Sequence, residues 1–105
     1  MSDTAHSFAS AGTLARRLRV HGKVQGVYFR QSTVEQARRL GVAGWVRNRR
    51  DGSVEALLVG PEATVMALIG WMHTGPAAAR VDRVDVCEEV PPVPVLEGFV
   101  QRDTL

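Results

Sequence analysis

Gly22-Lys23-Val24-Gln25-Gly26-Val27-Tyr28-Phe29-Arg30 is the stretch at which the hydrophobic period of the chain changes from two to about 3.6. Before it, Leu14 to Gly22 alternates: Leu18 and Val20 face one way, Arg17, Arg19 and His21 the other. That is the pattern of a half-buried strand in an antiparallel sheet. After it, Arg30 to Leu40 carries Val34, Ala37 and Leu40 on one stripe and turns Gln31, Glu35, Arg38 and Arg39 outward, which predicts a helix ended by Gly41 as a left-handed cap. Strand, two-glycine loop and helix, with an arginine at the helix start, have the layout of an anion cradle. Glycine lets successive N–H groups turn into one concavity, and the helix start adds unpaired N–H groups and a positive dipole end. Arginine adds a planar, two-pronged donor that suits phosphate. Taken alone, the glycines and the arginine fit an ordinary strand-to-helix turn better.

The rest of the chain decides what surrounds that loop. Val42 to Asn48 reads as a second strand, Asp51-Gly52 as a turn and Ser53 to Val59 as a third strand, so the two form a hairpin. Gly60-Pro61-Glu62 opens a second helix with Val65, Leu68, Ile69 and Met72 on its apolar stripe, and Gly75-Pro76 stops it. Val81 to Glu89 reads as a fourth strand, with Val84 and Val86 on one face and Cys87 on the other. Pro91, Pro92 and Pro94 make an extended connector to a short edge strand over Gly98 to Arg102. The predicted fold is α+β: a ferredoxin-like, split βαβ sandwich in which an antiparallel sheet of four to five strands carries two helices on one face. The crossover helix makes strands one and two parallel, so the cradle loop and Asn48 lie at the same end of the sheet. With strand three between them they stand ~10 Å apart, a gap that a long arginine and a bound phosphate can bridge.

The chain of 105 residues is 45% hydrophobic and 23% charged, the composition of one globular domain, read as residues 13–105 after a small, polar, flexible tail over 1–12. The tail has neither the basic start nor the apolar core of a signal peptide, and no apolar run approaches the ~20 residues of a membrane span. The formal net charge of +2 suits attraction of small anions without arguing for nucleic acid, and the first and third strands lack the stacking aromatics of an RNA-binding sheet. Arg47, Arg49 and Arg50 read as a solvated positive rim, Asp51 as a turn former, and Tyr28 and Trp45 as candidates to line the mouth of the site, with packing an equal reading for Trp45 because it sits mid-strand. Cys87 is the single cysteine, which excludes an internal disulfide and a cysteine metal cluster and fits a reducing cytosol. Nothing in the pattern demands more than a monomer.

Two motifs give this reading a family. The first is Gly22-Lys23-Val24-Gln25-Gly26-Val27-Tyr28-Phe29-Arg30; the second is Gly44-Trp45-Val46-Arg47-Asn48, then three residues, Gly52, one residue, Val54, five residues and Gly60. With both in this order, the chain from about Leu14 to Val86 resembles the acylphosphatases. The resemblance implies hydrolysis of acyl phosphates to a carboxylate and inorganic phosphate, with no metal and no cofactor. It implies that Arg30 binds the phosphate together with the backbone amides of Val24, Gln25, Gly26, Val27, Tyr28 and Phe29, and that Asn48 orients the attacking water.

The residue inventory agrees with that chemistry. Near the motifs there is no evident nucleophile, no carboxylate pair and no metal-ligand spacing. An amide such as Asn48 cannot act as a base, although it can hold a water. A site limited to positioning and anion stabilisation suits a leaving group that departs without a general acid, as a carboxylate does. Two other readings stand beside it: an RNA-binding or regulatory ferredoxin-like domain, and an acylphosphatase-like module that processes carbamoyl phosphate for a partner enzyme.

Overall fold

The computed structural model describes residues 13–92, 94 and 96–105. The tail expected over 1–12 lies outside them. The alternating and helical stretches form β1 (Thr13–Lys23), α1 (Phe29–Leu40), β2 (Ala43–Asn48), β3 (Val54–Pro61), α2 (Glu62–Met72), β4 (Arg80–Glu89) and β5 (Phe99–Gln101). They build one five-stranded sheet in the order β4-β1-β3-β2-β5. β3 lies between β1 and β2, antiparallel to both, as the split βαβ plan requires.

The sheet is mixed, in contrast to the antiparallel sheet expected, because β5 runs parallel to β2, with Gly44 opposite Phe99 and Val46 opposite Gln101. Topology explains the difference. β4 pairs antiparallel with β1 at one edge and so ends where β1 and β2 begin. The proline-rich connector then crosses to the other edge, and a strand entered from that end must run in the direction of β2.

Side-chain alternation sorts the two faces of the sheet. Leu18 and Val20 of β1, Val46 of β2, Val54, Ala56 and Leu58 of β3 and Phe99 of β5 pack in one core with Val34 and Ala37 of α1 and Val65, Leu68, Ile69 and Met72 of α2. The opposite face holds only a small apolar cluster of Ala15, Trp45, Leu57 and Val59 amid charged side chains. Thr33 is also fully buried on α1; its hydroxyl donates to the Phe29 carbonyl one turn back at 2.8 Å, so a polar residue occupies the apolar stripe without an unpaired donor. α2 starts one residue later than expected. Pro61 is the last residue of β3 and the helix N-cap, in an extended conformation (φ −61°, ψ 146°) that its ring permits. Val86 is 44% exposed and Cys87 is exposed, because β4 is an edge strand and α2 packs over β1 and β3.

One glycine has a different duty from the one expected. Gly22 belongs to β1, not to the loop. A bulge between His21 and Gly22 brings its backbone (φ +133°) against β4, where a Cβ would collide with the Arg80 carbonyl and the Asp82 amide. Gly26, at φ +75° with open space around it, is the glycine that turns the loop. Gly22→Ala is therefore expected to lower stability in urea unfolding by about 1–3 kcal/mol, since strand pairing must shift to admit the methyl group. A change within ~0.5 kcal/mol, the scatter of an ordinary surface substitution, would show that the β1–β4 contact has slack.

Candidate active site

The loop between β1 and α1 is pulled down by its apolar side chains. Val24, Val27 and Phe29 are all buried, with Phe29 packed on Trp71 at 5.8 Å between ring centroids. What these three can offer a ligand is their backbone. Between them Gly26 and Tyr28 stay exposed. Tyr28 takes the left-handed conformation (φ 66°, ψ 21°), the only non-glycine to do so among the described residues, and serves as N-cap of α1. Such a conformation costs a tyrosine about 1–3 kcal/mol and is characteristic of functional turns. It turns the chain sharply enough for the first helical N–H groups to follow directly on the loop. Arg30, half-buried in the first turn of α1, lines a cavity of about 330 Å³ with Gly26, Tyr28, Gln31 and Gln101. Among the described residues Arg30 makes no ion pair, unlike Arg17, Arg19, Arg47, Arg49, Arg80 and Arg83.

The side chain of Gln25 joins this loop to the β2–β3 turn. Its Nε2 donates to the carbonyls of Arg49 at 2.7 Å and Ser53 at 2.9 Å. The Gln25 side chain thus ties the loop directly to the turn. The turn is braced internally as well: Asp51 Oδ1 accepts from the Ser53 amide at 2.9 Å and hydroxyl at 2.6 Å, which holds the Asp51 carboxyl below its usual range. Asn48 ends β2 on the helix-covered side of the sheet, sharing the parity of Val46. Its backbone carbonyl accepts from the Leu105 amide at 3.2 Å. Its side-chain Oδ1 is buried and has no hydrogen-bond partner among the described residues. Buried acceptors are seldom left so, and this one lies at the same end of the sheet as the loop.

An arginine without a carboxylate, a loop of backbone amides and a free buried amide oxygen form a distinctive combination, and known proteins share the sequence that builds it. The acylphosphatase family profile matches residues 16–101. The chain belongs to the acylphosphatase family. An acylphosphatase of Acidovorax sp. (strain JS42) is 58% identical over 96 residues, spanning 91% of this chain and 97% of that protein. One from Thermococcus kodakarensis is 57% identical over 82 residues, 78% of this chain and 88% of that protein. The solved acylphosphatase of Coxiella burnetii superposes with a TM-score of 0.82 at 35% identity, covering 89% of this chain and 96% of that one. A portion of full-length HypF, in its phosphate- and nucleotide-bound form, superposes at 0.78 with 26% identity and amounts to 12% of that chain.

The loop of the first motif and Asn48 of the second therefore lie at one end of the sheet. Gly26, Tyr28 and Arg30 share a cavity; Asn48 stands beside the turn that Gln25 grips, outside that cavity's lining. Of its two readings, Trp45 takes the packing one. It lies buried on the open face, with the guanidinium carbons of Arg47, Arg102 and Arg17 at 4.6, 5.1 and 5.5 Å from its ring centroid. Among the described residues no group of three or more His, Cys, Asp or Glu is placed to hold a metal ion. Gln31 and Gln101 are cavity residues that sequence reasoning missed. Gln101 could be found only through the register of the last strand.

Glu55 was missed as well, and it changes the reading of the arginines. It is only 5% exposed on the open face and accepts from Arg47 Nε at 2.8 Å, Arg17 Nη1 at 2.9 Å and Arg49 Nη1 at 3.1 Å. Arg47 and Arg49 are thus clamped, in place of the solvated rim expected. Burial pushes the Glu55 carboxyl up, but the guanidinium groups of Arg47 and Arg17 outweigh it and hold the group below its ordinary value of 4.5. Stability from the ionised carboxylate is then complete above that value and is lost as the pH falls through the depressed folded one. Glu55→Gln, which cannot ionise, is expected to be less stable than wild type at pH 7, with the difference shrinking on acidification below pH ~4.5 in urea titrations. A difference that grew on acidification would reverse the assigned sign.

Proposed function

We propose that the site hydrolyses acyl phosphates, R–CO–O–PO₃²⁻, by direct attack of water on phosphorus, with Arg30 and the amides of residues 24–29 holding the phosphoryl oxygens and Asn48 holding the water. The observation that carries this reading is Arg30, which makes no ion pair among the described residues and lines one cavity with Gly26 and Tyr28 of the loop. Asn48 Oδ1, at the same end of the sheet, is buried and without a partner among the described residues, and such an acceptor can aim a water once the bound ligand opens a path to it. The bond from the water oxygen to phosphorus forms as the acyl oxygen–phosphorus bond breaks. The bonding pair leaves with the carboxylate, and the water proton passes to a phosphoryl oxygen. A carboxylate is stable as an anion at neutral pH, so neither a general acid nor a metal is required. The barrier falls through alignment and through preorganised donors on the equatorial oxygens.

The product phosphate fits the same loop and inhibits by occupying it. One chain carries both motifs, so a monomer suffices, and a single exposed cysteine suits the cytoplasm. None of the described helices is long and apolar enough to cross a membrane. Acetyl phosphate, carbamoyl phosphate and 1,3-bisphosphoglycerate all present the reacting group.

The test is release of phosphate from benzoyl phosphate by the purified chain with excess chelator. Turnover that survives the chelator is expected; its loss would overturn the metal-free mechanism. Arg30→Ala is expected to lose at least about a hundredfold in turnover and to bind phosphate weakly, as removal of a transition-state donor does. Asn48→Ala is expected to lose a similar factor in kcat while the inhibition constant of inorganic phosphate stays near that of wild type. Weak phosphate inhibition of Asn48→Ala would place Asn48 in the cradle.

A further inference from the structure

Gln25 and Glu55 meet at one residue. Gln25 Nε2 donates to the backbone carbonyl of Arg49, while the guanidinium of Arg49 donates to Glu55 Oε1, which also accepts from Arg47. Arg47 and Arg49 are the residues on either side of Asn48. The geometry points to Gln25 and Glu55 as a joint positioning device, linked through Arg49, that sets Asn48 against the phosphate loop. This rests on the reading of Asn48 as the holder of the attacking water.

Neither side chain is free to touch substrate. Both donors of the Gln25 amide are committed to carbonyls, and Glu55 is enclosed by three arginines on the face of the sheet opposite Asn48. The turn does not need Gln25 in order to close. The Arg49 carbonyl also accepts from the Gly52 amide at 3.1 Å, and the Ser53 carbonyl from the Arg49 amide at 2.8 Å. The added bonds therefore fix the loop relative to the turn, and with it the phosphate relative to Asn48. Glu55 holds the side chains of Arg47 and Arg49, so the residues flanking Asn48 are fixed through side chains as well as, at Arg49, through the backbone. In-line attack is sensitive to such placement, since an error of ~1 Å can cost on the order of a hundredfold in rate. Phosphate affinity should be indifferent to it, because the loop and Arg30 remain together when their distance to Asn48 changes.

The experiment compares full-length wild type, Gln25→Met, Glu55→Gln and the double variant in hydrolysis of benzoyl phosphate and in inhibition by inorganic phosphate, with circular dichroism to check folding. Gln25→Met keeps the volume and removes both donors; Glu55→Gln keeps the shape and removes the charge. We expect kcat to fall at least tenfold in Gln25→Met and at least threefold in Glu55→Gln, with phosphate inhibition constants within twofold of wild type. The double variant should lie within twofold of Gln25→Met, because losses through one shared device do not multiply. Turnover within twofold of wild type in both single variants overturns the proposal. So does a loss of phosphate affinity matching the loss of kcat, which would put the Gln25 side chain in the cradle. Fully multiplicative losses overturn the link through Arg49. If Gln25→Met does not fold, the isosteric Glu55→Gln decides the matter: a kcat loss of at least threefold with an unchanged phosphate inhibition constant supports the proposal, and kcat within twofold of wild type or a matching loss of phosphate affinity overturns it. Absence of turnover in wild type is a separate result, visible before any variant is made, and it would overturn the hydrolytic reading and this one together.

Discussion

β3 is buried on both faces from Val54 to Val59, and the rest of the molecule is arranged around that strand. Its inward side chains, Val54, Ala56 and Leu58, carry the core beneath the two helices; its outward ones, Glu55, Leu57 and Val59, anchor the opposite face. A strand paired on both edges and covered on both faces has little freedom to slip, since a shift of one residue would turn Glu55 into the core in place of Val54 or Ala56. β1 and β2 inherit their register from it. That register brings a loop following Lys23 and a side chain at position 48 to the same end of the sheet, although they lie in different elements.

The two faces divide the work. The helix-covered face is apolar and gives rigidity to Val24, Val27 and Phe29, so the exposed backbone between them has fixed positions. The other face is electrostatic. One carboxylate and three guanidinium groups there satisfy one another, and Trp45 lies among the arginines. Buried charge of this kind is not a strong source of net stability, because desolvation offsets the attraction. What it does provide is direction: a guanidinium held by a carboxylate cannot wander, and neither can the backbone that carries it.

A site of this sort lowers the barrier by position. In the proposed mechanism the cradle binds an anion with groups that are already oriented, and Asn48 supplies the acceptor for the water. Removing a base and an acid from the inventory narrows the chemistry to substrates with a good leaving group. It also makes the geometry between cradle and amide the quantity on which rate depends. A left-handed tyrosine at the N-cap of α1 fits that economy, with local strain accepted where the backbone must turn toward the ligand.

The sequence by itself determined the order of elements, the two faces of β1, the apolar stripe of α2 and the two motifs that mark the family. These are local signals: period, turn residues and fixed spacings report the physics of a few neighbouring residues. Only the tertiary structure decided that Gly22 serves strand pairing with β4, that β5 enters parallel to β2, that Gln25 grips the β2–β3 turn and that Glu55 gathers arginines from β1, β2 and the turn beyond. Each of those depends on which residues from distant parts of the chain come within a few ångströms. Periodicity holds no record of that, because an arginine beside a buried carboxylate and an arginine in water read alike until the sheet is assembled.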